Sequence, residues 1–375
     1  MNIVSVLLFI KMNKKSKKGF TLIELLIVMA ILSIVLAIVF NFFYQTLSSY
    51  IEESGITESS IEKYIGLEIL RKDIEMAGFG LPWEINNSVN YQEAKSDNSY
   101  SVDPSSFNGS GTPFAFSFSN NGGYNGSDIL VIRSSVANID NDSARKWGYA
   151  YYDGSQWCIK SLSGLNFNNN DYFIAIDPSS RALKCFNNNC TDEWYSHSLN
   201  PDLGSEYNKI YFIFGITSSD LRMPFNRVDY YIKRPNDNFP KKCNRDTYIL
   251  YRSEIRHSDG ERYEHPILDC VVDFQVVFGI DSDDDGVIDL WEKDLSSLTS
   301  PEDMRNKLKE LIIYIVHQVG ERNKTKVFNK SSIELKFPDN SSKIIDLTTI
   351  SNYKFYRWKV IKFKVIPLNL IPRKR

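Results

Sequence analysis

The chain has 375 residues, with 44 basic and 46 acidic side chains and a net charge of −2. That length allows one large core or two smaller ones, and the near-neutral balance argues against a nucleic-acid surface for the chain as a whole. An aromatic content of 13%, with 21 Tyr and 23 Phe, favours β-rich structure.

Residues Met1 to Ile10 are apolar. Met12 then opens Met-Asn-Lys-Lys-Ser-Lys-Lys-Gly, an alternative start. From Phe20 to Phe43 the chain is apolar, and Glu24 is the only charged residue in that run. At about 1.5 Å per residue the run reaches roughly 36 Å, enough to cross a hydrocarbon core of about 30 Å. A cleaved secretory signal carries its small-residue site after the apolar core. Here Gly19 precedes the core, and no such site follows at Phe40 to Gln45. A plain membrane anchor accounts for the length but not for Glu24, because a carboxylate near the bilayer costs a few kcal/mol unless it is partnered. The lysines before the run stay cytoplasmic by the positive-inside rule, which sends the bulk of the chain across the membrane. Loss of Lys11, Lys14, Lys15, Lys17 and Lys18 with a leader would leave a net charge of −2 − 5 = −7.

The stretch Lys17-Lys18-Gly19-Phe20-Thr21-Leu22-Ile23-Glu24-Leu25-Leu26 resembles the processing segment of type IV prepilins. The resemblance implies a leader at 1–19, cleavage between Gly19 and Phe20 by a membrane prepilin peptidase, and N-methylation of Phe20. It also implies that Glu24 sets register by pairing with the amino terminus of a neighbouring subunit. Two opposite charges in a nonpolar core attract strongly, and either alone is expensive there. The fold implied is α+β and pilin-like. A transmembrane half-helix at 20–43 and an amphipathic half at 44–80 precede a large antiparallel β-rich head at 81–375.

Within 44–80, Ile61, Ile65, Ile69, Leu70, Ile74 and Ala77 recur at roughly helical spacing. They predict either the lower half of one long helix or a separate amphipathic helix. Gly55 and Gly66 weaken it by up to about 1 kcal/mol each, and Gly78, Gly80 and Pro82 stop it. The run Arg71-Lys72-Asp73-Ile74-Glu75-Met76-Ala77-Gly78-Phe79-Gly80 resembles PilW-type minor pilins. From Leu81 to Gly126 the chain is Ser/Asn/Gly-rich and reads as loop. Strands are expected at Asp128–Arg133, Tyr172–Ile176, Lys209–Ile216, Val228–Lys233, Tyr248–Arg252, Val271–Phe278, Leu311–Val316, Lys326–Phe337 and Phe355–Val365. No βαβ alternation appears, so the sheet is expected to be antiparallel. Ser300-Pro301-Glu302-Asp303 reads as the start of a short helix before Leu311.

Five cysteines are present, and a head outside the cytoplasm permits disulfides. No C-x-x-C pair exists and the four histidines are scattered, so a zinc site is not expected. Cys243 precedes one expected strand and Cys270 opens another, and adjacent antiparallel strands would bring them close. The resemblance to PilW-type chains implies the same pair, Cys243 with Cys270. Cys185 and Cys190 flank Phe186-Asn187-Asn188-Asn189 and can close a small loop, leaving Cys158 free or bonded to another chain. In an alternative scheme Cys158 pairs with Cys185 or Cys190.

Residues Asp281 to Glu292 fit a twelve-residue calcium loop. Asp281, Asp283, Asp285, Asp289 and Glu292 stand at positions one, three, five, nine and twelve, Gly286 at six, and Val287 lends its carbonyl at seven. A hard cation wants six to eight oxygens at about 2.3–2.6 Å, and alternate residues of a tight loop point inward. Val271 to Gly279 reads as a strand, so an isolated EF-like loop is expected rather than an EF-hand. Its calcium is either structural or regulatory.

No enzyme motif is present: neither G-x-S-x-G, nor a Walker loop, nor H-E-x-x-H, nor a dinucleotide fingerprint. The expectation is a non-enzymatic minor pilin of the PilW type. It would be anchored in the inner membrane with its head in the periplasm, then carried to the cell-surface pilus. Its partners would be other minor and major pilins, and its role the priming of assembly at or near the filament tip. The alternatives are a minor pseudopilin of a type II secretion system and a tip adhesin that binds a surface ligand.

Overall fold

A computed structural model describes residues 21–139, 141–235, 237–323 and 327–370, with the backbone alone for 45 and 47–63. One helix, α1, runs from Leu22 to Glu75. The chain divides into two units, one ending at Ser54 and one beginning at Gly55. In the first, Leu22–Tyr44 is a candidate membrane span with a mean hydropathy of 3.1 and no buried surface.

In the second unit, Leu70 and Ile74 in the last turns of α1 and Ala77 just past its end are completely buried. The four-residue spacing of Leu70 and Ile74 puts both on one helical face. Each fully buried Leu or Ile contributes about 1.5–3 kcal/mol. Gly66 lies where α1 crosses the sheet, and a Cβ there would stand 2.1 Å from the Ile267 carbonyl oxygen. The glycine that weakens the isolated helix therefore permits its closest approach to the head's backbone.

Among the described residues, fifteen strands follow. They are β1 (Phe116–Ser119), β2 (Ile129–Ser134), β3 (Trp147–Tyr152), β4 (Trp157–Ser161), β5 (Tyr172–Ile176), β6 (Leu183–Lys184), β7 (Tyr211–Thr217) and β8 (Asn226–Lys233). Then come β9 (Tyr248–Ile255), β10 (Arg262–Ile280), β11 (Leu290–Glu292), β12 (Leu308–Val319), β13 (Ser332–Lys336), β14 (Ser342–Asp346) and β15 (Arg357–Val365). The main sheet has the order β1-β2-β8-β9-β10-β12-β15, with β11 also on β10. A five-stranded sheet has the order β4-β3-β7-β5-β6, and β13 and β14 form a hairpin. Neighbouring strands pair antiparallel throughout.

The main sheet is buried on both faces at its centre. On β12, Leu311, Ile313 and Ile315 face the core that holds Leu70 and Ile74. Ile312, Tyr314 and Val316 face a second core with Leu335, Ile345 and Trp358. The short helix α2 (Pro301–Lys307) starts where the sequence indicates, with the Ser300 hydroxyl accepting from the Asp303 N–H at 3.0 Å.

Several elements depart from the expectation. The 81–126 stretch is not plain loop. It supplies β1 and buries Leu81, Ile85, Val89, Tyr91 and Phe116 at irregular spacing, which hides them from a periodicity argument. Strand β3 is hard to read because small Gly148 and Ala150 occupy its inward positions. Strand β10 begins at Arg262 rather than Val271. Register shifts at Pro266/Leu268 and Leu268/Val271 break its alternation, as β-bulges do. Of the expected 326–337 strand only Ser332–Lys336 forms, and Lys326 lies outside the described residues.

Candidate functional site

The start of α1 is a closed hydrogen-bonded box. The Thr21 hydroxyl oxygen accepts from the Glu24 N–H at 3.3 Å. The Glu24 carboxylate accepts from the Thr21 N–H and the Thr21 hydroxyl, both at 2.9 Å. This reciprocal capping satisfies donors that the first helical turn otherwise leaves open. It also favours a negative charge at the helix N-terminus. The carboxylate that made a plain anchor unconvincing is thus partnered within one subunit, on an otherwise apolar span. Gly19 and Phe20 lie outside the described residues.

Those residues fall in a segment recognised independently. A family model described as the prokaryotic N-terminal methylation motif matches residues 14–40. The chain carries a prepilin-type methylation motif. The motif indicates a prepilin of the type IV pilin or pseudopilin kind, processed by prepilin peptidase and assembling with other pilins. The α+β order of the chain, an N-terminal apolar helix followed by a large antiparallel β-rich head, is the type IV pilin-like layout. No curated protein and no solved structure matches the chain.

The acidic loop joins β10 to β11. Ligand atoms of Asp281, Asp283 and Asp285 all lie within 4.8 Å of one another. Backbone donors turn these carboxylates inward. The Asp285 N–H donates to Asp281 Oδ1 at 3.1 Å and the Gly286 N–H to Asp281 Oδ2 at 2.9 Å. The Val287 N–H donates to Asp285 Oδ1 at 2.7 Å. Gly286 has φ 95°, a turn that a side chain would strain. Lys309 Nζ stands 3.2 Å from Asp281 Oδ2. Burial raises the Asp281 pKa, but the Gly286 N–H and the Lys309 ammonium outweigh it and hold the carboxyl below its usual range.

The second half of the loop is arranged differently from the expectation. Asp289 accepts from the Ser282 N–H at 3.0 Å and the Ser282 hydroxyl at 2.7 Å. Glu292 lies on β11 opposite Phe278 and accepts from the Ser297 hydroxyl at 2.7 Å. Both are thus engaged outside the three-aspartate cluster, because a short strand succeeds the loop rather than a helix. The Val287 side chain is exposed. The three clustered carboxylates are of the type that would suit a hard, oxygen-seeking cation.

Disulfides link Cys243 to Cys270 and Cys185 to Cys190, and Cys158 is free.

Buried charge carries what sequence reasoning missed. Asp73, in the last turns of α1, accepts from Arg252 Nε and the Tyr230 hydroxyl, both at 2.6 Å. Arg252 also pairs with Glu254 and donates to the Ala137 carbonyl at 2.9 Å. A second cluster holds Glu93 between Arg133 and Arg227, and Asp229 between Arg227 and Arg262. Burial pushes the Asp229 pKa up, but the Arg227 and Arg262 guanidiniums outweigh it and hold the carboxyl below its usual range. The clusters draw residues from 73 to 262, so no local motif announces them. The one available signal was charged residues inside expected strands, such as Arg133 in β2 and Asp229 in β8.

Proposed function

We propose that this prepilin is a minor pilin of a type IV pilus, cleaved after Gly19 and N-methylated at Phe20. It primes assembly at or near the filament tip, with its head held outside the cytoplasm. The observation that carries this reading is the Thr21–Glu24 box at the head of an exposed apolar span, within the matched methylation motif. The span supplies lateral apolar packing. Glu24 supplies the one charge that can fix register, since an unmatched carboxylate in that environment is costly. In an assembled filament the carboxylate would exchange part of its Thr21 box for a neighbour's amino terminus.

Calcium is part of the proposal. Asp281, Asp283 and Asp285 would hold it, with the Val287 carbonyl completing the first half of the loop. Bound there, the ion neutralises carboxylates that otherwise repel one another. The chain's own contribution is to aim three carboxylates through the N–H groups of Asp285, Gly286 and Val287. A structural role follows from position, because the loop links the central strand β10 to β11.

The test is Glu24→Ala at native expression. The variant should reach its mature mass but leave few pili by electron microscopy. Normal piliation with normal secretion would contradict the register role. If secretion fails while pili persist, the pseudopilin reading is the correct one, and the acidic loop is compatible with it.

A further inference from the structure

The five-stranded sheet ends on β4, and among the described residues no strand pairs with the far side of that edge. The direction of its open groups follows from the β3–β4 register. The Asp153 N–H donates to the Gln156 carbonyl at 3.0 Å, and the Leu162 N–H to the Trp147 carbonyl at 2.9 Å. Hydrogen-bonded and non-hydrogen-bonded pairs alternate along an antiparallel ladder. Tyr151–Cys158 and Tyr149–Lys160 are therefore hydrogen-bonded pairs within the sheet. Trp157, Ile159 and Ser161 direct their N–H and C=O groups away from β3, as an open template for another strand.

We propose that this edge pairs antiparallel with β4 of a second copy, about a two-fold axis at Cys158, and that the two Cys158 thiols join in a disulfide. Three observations select a second copy. First, the outward groups belong to Trp157 and Ile159, which flank Cys158 symmetrically, so Trp157 of each copy meets Ile159 of the other in a hydrogen-bonded pair. Cys158 then faces its own copy in a non-hydrogen-bonded pair. That pair has a Cα separation of about 4.5 Å, inside the range of about 4.4–6.8 Å that a disulfide spans. A one-residue slip would put Cys158 opposite Ile159 and lose both the ladder and the bond.

Second, the side chains agree with the register. Lys160 of each copy falls opposite Gln156 of the other, beside Asp153, whose carboxylate lies 3.4 Å from the Cys158 sulfur. On the other face Trp157 meets the half-buried Ile159. That contact extends the small core of Trp157, Phe173, Tyr211 and Ile213 across the axis. Third, the other four cysteines pair with one another within the head, and Cys158 alone has no disulfide partner within the chain.

The oxidation balances with a disulfide donor such as oxidised glutathione. One Cys158 thiolate attacks the donor and releases one donor thiol. The second Cys158 thiolate then displaces the other, so two protein thiols become one disulfide and the donor becomes two thiols. In the cell this rests on the proposed location of the head outside the cytoplasm.

The test uses the full chain in detergent with oxidised glutathione, read by non-reducing electrophoresis. A band at twice the chain mass should form and vanish in Cys158→Ser. Ile159→Pro removes an outward N–H that β3 does not use, as edge prolines do, and should cut the dimer to below about a tenth, whereas Ile159→Ala, which loses packing but keeps that N–H, should retain it. Gln156→Cys with Lys160→Cys in a Cys158→Ser background should restore the cross-link, because those positions face one another in this register. A chain that stays monomeric with Cys158 alkylable overturns the proposal. So does a cross-link that Ile159→Pro leaves as strong as Ile159→Ala does, or a disulfide to a different protein in cells. Free thiols at Cys185, Cys190, Cys243 and Cys270 in cells would instead contradict the head's location, while the purified chain still decides the edge pairing.

Discussion

The acidic loop and the buried ion clusters use the same side chain to opposite ends. In the loop, Asp281, Asp283 and Asp285 come from five consecutive residues, and backbone N–H groups and Lys309 orient them. In the head's interior, Asp73, Glu93 and Asp229 come from distant segments, and each is bound by arginine. The loop keeps negative charge in excess at the surface, where the proposed cation would bind. The interior cancels its charge with groups of the chain itself. A carboxylate's partner therefore reveals its role. The loop faces solvent, whereas one cluster ties Asp73 of α1 to the sheet and the other ties the Glu93 segment to it, and both answer only to unfolding.

Removing one member of a buried pair tests this contrast most severely. Asp73→Ala strands the Arg252 guanidinium and the Tyr230 hydroxyl and should cost about 3–5 kcal/mol, read as a lowered denaturant midpoint. Glu68→Ala removes a partner of the exposed Arg71, 3.7 Å away, and should cost less than about 1 kcal/mol. Equal effects would erase the distinction between inner and outer charge. The loop comes next. Calcium at a hundred times its dissociation constant should add about 2.7 kcal/mol to stability, seen as a rise in melting temperature. Asp281→Ala with Asp283→Ala should abolish that rise, and should also lower the calcium-free melting temperature, because Asp281 holds two backbone N–H groups and Lys309. A calcium-indifferent chain would rule the metal out.

A smaller effect sharpens the interior's independence from solvent. His257 is buried, and its Nδ1 accepts from the Arg222 N–H at 3.2 Å while Nε2 faces Asn226 Oδ1 at 3.1 Å. Burial, aided by the nearby Arg222 charge, pushes its pKa down to about 3. The unfolded chain takes up this proton near pH 6.5 and the folded chain does not. The stability is whole above about pH 6.5 and falls by up to about 1.4 kcal/mol per pH unit as pH drops towards 3. His257→Gln should flatten that slope between pH 6 and 4 in thermal melts; an unchanged slope would assign acid sensitivity to other groups.

Much of the fold was legible because its cues are local. The apolar run, Glu24 at the third helical position and the Ser300 cap each occupy a few adjacent residues, and most long strands alternate or run apolar. The features that escaped are non-local or masked. Gly66 reads as a defect until Ile267 is seen against it. Glu93 sits in a Ser/Asn-rich stretch yet is fully buried between two arginines. Strand β10 hides behind Pro266 and its bulges. In the candidate loop, spacing alone brought Asp281, Asp283 and Asp285 together. The positions of Asp289 and Glu292 depended on the next element, and there a strand stands in place of the helix that would have turned them inward.

The functional reading rests on an apolar segment that is trimmed and then assembled. Terminal mass spectrometry of the chain recovered from sheared filaments reads both steps at once. The expected result is a mature terminus of N-methylated Phe20, with no peptide from Lys14–Gly19. A chain that keeps those lysines, or that is absent from filaments while abundant in the membrane, would contradict it.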